Sequence, residues 1–258
     1  MTMKNAKSNK LFWLDDLQWS VLKPHLPTKQ TGPKRKDDRR IISGIIHVLQ
    51  SGCRWQDCPP DYGPSTTVYN RYHRWAKRGL WEAMFRKLTS IVGTHYENSI
   101  DSTIVKAHRS ASGKKGAGSE AIGKSRGGRT TKIHAATDEK GRPIAFLLTP
   151  GNASDITAAI PLLEPLDPPK QQLGDKAYDS DEFRAWLKQR KTEPVIPNKK
   201  NRKNPHPFKK RRYRQRNKIE RMFCRLKDAR RIATRYDKSA QTYLSAICLM
   251  AIVYWWIN

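Results

Sequence analysis

The sequence predicts an α/β protein: a mixed β-sheet flanked by helices, preceded by a helical N-terminal region. Three observations lead there. Up to about residue 97, apolar residues recur at helical spacing. From residue 98 onward, β-branched and alternating segments interleave with helical ones. The chain then finishes on a strongly basic amphipathic segment and an apolar terminal one.

The helical region begins with residues 39–50, where Ile41, Ile42, Ile45, Ile46 and Leu49 share one face and Gly52 offers a C-cap. A loop with Pro59-Pro60 and Gly63-Pro64 follows. Ser65 then reads as the N-cap of a second helix. Its apolar face is Val68, Tyr69, Tyr72, Trp75 and Ala76, with Arg71, Arg74, Lys77 and Arg78 largely turned away. A helix, a turn and a basic helix is the outline of a helix-turn-helix, which would carry these four cations to DNA. An ordinary helical bundle with a solvated basic face gives the same pattern.

Residues 99–108 predict the first strand, and the Gly-, Ser- and Lys-rich stretch 113–128 a flexible loop. Residues 131–137 and 143–149 predict a hairpin turning at 138–142. A helix over 153–163, a short strand 171–174, a helix over 181–189 and an extended piece 194–197 follow. One long helix is expected from about 213 to 232, and 243–257 reads as a buried terminal helix. The division falls at 1–97, a helical DNA-binding domain, and 98–258, the sheet domain.

Charge narrows the function. The chain of 258 residues has 51 Lys and Arg against 23 Asp and Glu, a net +28. Such self-repulsion calls for a polyanionic partner, and nucleic acid is the first candidate because each neutralised phosphate releases counterions. A membrane surface is the rival. No lipidation signal is present, and the 15-residue apolar run at 243–257 falls short of the ~18–20 residues a spanning helix needs. No apolar stretch of signal-peptide length follows MTMKNAKSNK, so a cytoplasmic, nucleoid-associated protein is expected. Cys53 and Cys58, with His47 and His73 nearby, fit reduced thiols better than a zinc site.

The chemistry concentrates in the last long helix. Tyr213, Arg216, Glu220 and Lys227 fall on one stripe about 60° wide, beside an apolar stripe of Ile219, Met222, Phe223 and Leu226. Residues 198–231 hold 16 Lys and Arg against two acids, half of the chain's net charge. Glu220 alone could be a structural ion pair with Arg216 or Lys227. Two more carboxylates change the reading. Asp175, in Gly174-Asp175-Lys176-Ala177-Tyr178, ends a short strand, where sites collect on open sheets. Asp101, in Ile100-Asp101-Ser102-Thr103, lies on the first strand. Either alone often caps a turn. Together the three match the need of two-metal phosphodiester cleavage for carboxylates drawn from several elements, with Mg²⁺ preferring such hard oxygens.

Tyr213, Arg216, Glu220 and Lys227 match the Y-(2)-R-(3)-E-(6)-K signature, and with Asp101 and Asp175 the chain resembles the DDE transposases of bacterial insertion sequences. Residues 53–75, CRWQDCPPDYGPSTTVYNRYHRW, are similar to the N-terminal region of the compact insertion-sequence-five type. The resemblance implies an RNase H-like fold and catalysis with two Mg²⁺ ions, Mn²⁺ substituting. It implies Asp101, Asp175 and Glu220 as metal ligands and Tyr213, Arg216 and Lys227 as DNA contacts. It implies binding to terminal inverted repeats and joining to target DNA; because both ends must be processed, a homodimer on paired ends is expected. A non-catalytic DNA-binding regulator and a different RNase H-like nuclease remain as rivals. Asp155, a rival carboxylate, reads as the cap or start of the following helix, with a role behind the metal ligands as the alternative; Asp179 and Asp181 read as loop and helix-start residues, His108 and His134 as packed, and Trp255 and Trp256 as core.

Overall fold

The computed structural model describes residues 11–28, 35, 37–91, 93, 95–111 and 120–258. Helices come first: α1 (Asp16–Leu22), α2 (Asp38–Ser51), α3 (Ser65–Lys77) and α4 (Leu80–Ser90). Asp15 starts α1 with a capping box, its carboxylate accepting the Gln18 N–H while the Gln18 side chain accepts the Asp15 N–H. In α2 the five predicted apolar residues are buried, and Gly52 closes the helix in the left-handed region at φ 78°.

Three details of this region differ from the sequence reading. Pro64, not Ser65, is the N-cap of α3. Residues 52–64, with two short 3₁₀ turns, separate α2 from α3, longer than the three or four residues of a compact helix-turn-helix. Tyr69 is exposed and stacks on His73 at 5.5 Å between ring centres, outside the apolar face expected to hold it.

The sheet is built on β1 (Glu97–Ala107), followed by β2 (Gly123–Ser125), β3 (Gly128–Thr137) and β4 (Pro143–Pro150). The Asp138 carboxylate accepts the N–H groups of Lys140 and Arg142 and thereby shapes the β3–β4 turn. Next come α5 (Asp155–Leu163), β5 (Gln171–Leu173), α6 (Asp181–Gln189), β6 (Glu193–Val195) and α7 (Lys210–Tyr213). Then follow α8 (Asn217–Lys227), α9 (Arg230–Ala233), β7 (Thr234–Arg235) and α10 (Ala240–Ala251), which runs on as a π turn over Ile252–Trp256. Of the stretch expected as a flexible loop, residues 113–119 lie outside the described residues, and Gly123–Ser125 is a strand paired with β3.

Strand order is β4-β3-β1-β5-β6, with β3 antiparallel to both neighbours and β5 and β6 parallel to β1. That order and those directions make the fold RNase H-like. Successive side chains of a strand point to opposite faces, so each face has its own core. Val105, Ile133 and Ala135 join α2, α3, α4, α8, α9 and α10 in one cluster. Ile100, Ala136 and Ile144 join Ala159 and Leu162 of α5 and Phe183 and Leu187 of α6 in the other. The apolar C-terminal segment is therefore a core element packed against the N-terminal helices, and among the described residues no helix is long and apolar enough to cross a membrane.

The single long helix expected over 213–232 is instead interrupted twice. Residues 214–216 tighten into a 3₁₀ turn between α7 and α8. Lys210 and Arg214, and Arg212 and Arg216, would stand four apart as like charges on a continuous α-helix, which disfavours it. At the other end Ala229 is extended, ψ 106°, and the turn brings α9 onto α2.

Gly44 shows how tightly the helical layer is packed: a Cβ there would lie 2.6 Å from the Cβ of buried Tyr62. Helix propensity alone would make Gly44→Ala stabilising by about 1 kcal/mol. Overpacking at this contact reverses the sign, and a net loss of about 1–3 kcal/mol is expected in urea unfolding. A midpoint equal to or above wild type would show that Tyr62 yields.

Candidate active site

Asp101 lies midway along β1, on the face turned to α8. Its Oδ1 accepts the Ser102 N–H at 2.8 Å, and its Oδ2 accepts from Arg216 Nη1 at 2.7 Å. The same guanidinium donates through Nη2 to Glu220 Oε1. One cation thus bridges carboxylates from a strand and a helix 115 or more positions away. Tyr213 lies under this guanidinium, its ring centre 5.7 Å from Cζ. Lys227, one side of α8 further along, donates to Thr103 Oγ1 at 2.6 Å. Arg216 and Lys227 thus reach β1 directly, while Tyr213 and Glu220 meet Arg216, even though a 3₁₀ turn divides the signature. The apolar stripe of Ile219, Met222, Phe223 and Leu226 is buried and presses α8 onto the sheet.

Asp175 follows β5 after Gly174 and caps the 3₁₀ turn Lys176–Tyr178, its Oδ1 accepting the Ala177 N–H at 2.8 Å. Parallel pairing of Ser99 with Leu173 carries it to the level of Asp101. Burial pushes the Asp101 carboxyl above its ordinary range, Arg216 and the Ser102 N–H pull against this, and the charge of Asp175 adds to the rise. Asp175 thus lies level with Asp101, and Arg216 ties Asp101 to Glu220. Among the described residues, however, no three His, Cys, Asp or Glu side chains form a set that could hold an ion as they stand, and Arg216 occupies the space between Asp101 and Glu220.

The opening is a product of topology. On the edge of β1 opposite β3, β5 pairs with Glu97–Ser99 and β7 with Lys106–Ala107. Between them, the stretch bearing Asp101 and Thr103 has no strand neighbour on that edge among the described residues.

The basic segment after β6 is anchored beside this opening. Buried Asp179 pairs with Arg184 and Arg202, each at 2.8 Å, and accepts the Lys199 N–H. Burial opposes its charge, but the bonds from Arg202, Lys199 and Arg184 outweigh it and hold the carboxyl at about 2. Asp179 is thus a structural anchor for the cationic segment 198–216.

The remaining predicted contacts divide. Arg74, Lys77 and Arg78 of α3 are exposed. Arg71 is not free for phosphate: it pairs with Asp38 and lies over Trp75 at 5.1 Å. The amphipathic pattern placed it on the polar side but carried no sign of the acidic partner on α2. Cys53, Cys58, Cys224 and Cys248 are free thiols. Trp255 and Trp256 are half-buried, with Trp256 donating to the Pro143 carbonyl.

Asp155 does more than start a helix. It starts α5, as expected, but its Oδ1 also accepts from Ser102 Oγ at 2.6 Å and lies 2.9 Å from Lys132 Nζ. A serine before an apolar helix signals only a helix start, and nothing in the spacing shows that residue 102 reaches residue 155.

Comparison with known proteins follows this geometry. Residues 93–256 match the family model described as transposase DDE domain, and residues 14–85 that described as putative transposase of IS4/5 family. The chain belongs to the DDE transposases of insertion sequences. It is similar to a putative transposase for insertion sequence element IS6501 of Brucella ovis, 33% identical over 127 residues, spanning 49% of this chain and 98% of that protein. A putative transposase for insertion sequence element IS402 of Burkholderia cepacia is 32% identical over 124 residues, 44% of this chain and 56% of the relative. The piggyBac transposase of a synaptic complex with hairpin DNA aligns with 95% of this chain and 72% of its own at 11% identity and a TM-score of 0.49.

His134, on β3, supplies a test of the site's surroundings. It is fully buried, Nε2 meets Thr149 Oγ1 at 2.8 Å, and burial holds the imidazole at about 4. The unfolded chain takes up this proton near 6.5 and the folded chain does not until about 4. Stability from neutral His134 is therefore complete above pH 6.5 and is lost as pH falls toward 4, by about 3 kcal/mol. Urea unfolding from pH 7 to 4 should show wild type losing that much more than His134→Gln. Parallel pH profiles would mean that His134 titrates normally.

Proposed function

We propose that the chain cuts DNA at the terminal inverted repeats of its insertion sequence and joins the freed 3′-hydroxyls to target DNA. Asp101, Asp175 and Glu220 are the residues that would hold two Mg²⁺ ions, with Mn²⁺ as a substitute. The observation that carries this reading is the Asp101–Arg216–Glu220 bridge beside Asp175, at the stretch of β1 that has no strand neighbour between β5 and β7 among the described residues.

The donor set fits such ions. It consists of hard carboxylate oxygens, which Mg²⁺ prefers, and a guanidinium already stands as a cation between two of them. When bound, the metals supply activation of the attacking oxygen and stabilisation of the leaving one. The chain's own groups do the rest. Arg216 exchanges its carboxylate partners for a phosphate oxygen, for which its planar fork is suited. Tyr213 keeps the guanidinium oriented, and Lys227 adds a second cation along β1. The segment 198–216 and the exposed Arg74, Lys77 and Arg78 track the DNA backbone. Both ends of an element must be processed, so two copies act on paired ends.

Supercoiled plasmid carrying the genomic DNA on either side of this reading frame serves as substrate. With Mg²⁺, Asp101→Asn, Asp175→Asn and Glu220→Gln should each reduce strand cleavage to background while still binding the DNA. Cleavage by Glu220→Gln at the wild-type rate would remove Glu220 from the metal site. Single Ala substitutions at Arg74, Lys77 or Arg78 should each lower the slope of log K against log salt by about 1. An unchanged slope in all three would take α3 off the DNA.

A further inference from the structure

We propose that Asp155 and Lys132 are positioning residues for the strand-cutting reaction: from the far face of the sheet they fix Ser102 and, through it, the Asp101 carboxylate. The inference rests on the reading of Asp101 as a metal ligand and names how that ligand is held.

The need arises from the open edge. Residues 100–105 of β1 are laddered to β3 on one side but have no strand on the other among the described residues. A one-sided strand is freer to shift than one paired on both edges, yet a metal ligand must be held to about half an ångström. Ser102 is the residue best placed to restrain it. Its backbone N–H donates to Asp101 Oδ1 at 2.8 Å, while its side chain, on the opposite face, donates from Oγ to Asp155 Oδ1 at 2.6 Å. Asp155 is fixed in turn. It sits in the first turn of α5, whose apolar face is buried against the sheet, and its Oδ1 lies 2.9 Å from Lys132 Nζ.

Lys132 is 8% exposed, and its ammonium also donates to the Ala153 carbonyl at 2.7 Å. Burying a lysine costs free energy unless its charge is paired and hydrogen-bonded, and here both conditions are met. Lys132 lies on β3, opposite Ile104. The result is a closed path: β3 through Lys132 to Asp155, to Ser102, to β1, and back along the β1–β3 ladder. Asp101 hangs on the one member of that loop whose N–H reaches it. A residue that only started α5 would have needed neither Ser102 nor Lys132.

The test uses the full chain, the plasmid with the flanking DNA described above, and saturating Mg²⁺. Strand cleavage and DNA binding are measured separately for Ser102→Ala, Asp155→Asn, the double variant and Ser102→Thr. Each of the first two should lower the cleavage rate about 10–100-fold, the range found for residues that orient metal ligands, with Kd for the same DNA unchanged. The double variant should lose no more than the worse single one, because both cut the same path. Ser102→Thr keeps the hydroxyl and should restore the rate. A folded Asp155→Asn protein that cuts at the wild-type rate, or losses that multiply in the double variant, would overturn the proposal. If Asp155→Asn does not fold, Ser102→Ala, which removes a single oxygen, decides the matter by the same criteria. Asp101→Asn is run alongside. Wild-type cutting by that variant would sink the metal-ligand reading and this inference with it; background cutting there beside full activity in Ser102→Ala and Asp155→Asn would sink this inference alone.

Discussion

Arg216 stands between Asp101 and Glu220, and much else in the molecule depends on that contact. Asp101 is four-fifths buried, Asp175 adds a second negative charge beside it, and Glu220 brings a third. Carboxylates so placed repel one another and resist losing water. A cation among them offsets part of that repulsion. The guanidinium is suited to this because it is planar, always charged and able to engage two acceptors at once. It also leaves the cation replaceable, since Arg216 is part of a side chain that can turn toward a phosphate.

The sheet creates the place for that contact. A short β5 and a shorter β7 leave the middle of β1 without a strand on one edge among the described residues, and α8 fills the face above it. The apolar stripe of α8 fixes the helix, and the same helix then delivers Glu220 and Lys227 to β1. Asp179 ties the cationic segment 198–216 to the loop after β5, so the most basic part of the chain borders the carboxylates. Repulsion among those cations is offset locally by Asp179 and Asp181, and the remaining charge faces outward for a polyanion.

Much of this was legible in the residues. The stripe of Ile219, Met222, Phe223 and Leu226 told which face of α8 is buried, because helical periodicity depends only on local spacing. Asp138 and Gly141 told the β3–β4 turn for the same reason. What remained hidden depends on partners far along the chain. Arg71 looked like a surface cation, and only the fold brings Asp38 to it. Asp155 looked like a helix start, and only the crossing of α5 beneath β1 gives it Ser102. The 3₁₀ turn at 214–216 was hidden for another reason: helical offsets computed at a constant angle take no account of the like charges stacked on Lys210, Arg212, Arg214 and Arg216. In β2, Gly123 and Ser125 have loop composition, and their strand exists because β3 offers a free edge.

The most direct test of the central claim is crystallographic: the protein bound to its end DNA with Mn²⁺, with metal positions read from anomalous scattering. Two Mn²⁺ peaks bounded by Asp101, Asp175 and Glu220, with Arg216 turned from the carboxylates to a DNA phosphate, is the predicted result. Arg216 still bridging Asp101 and Glu220, with Mn²⁺ bound elsewhere or not at all, would contradict it.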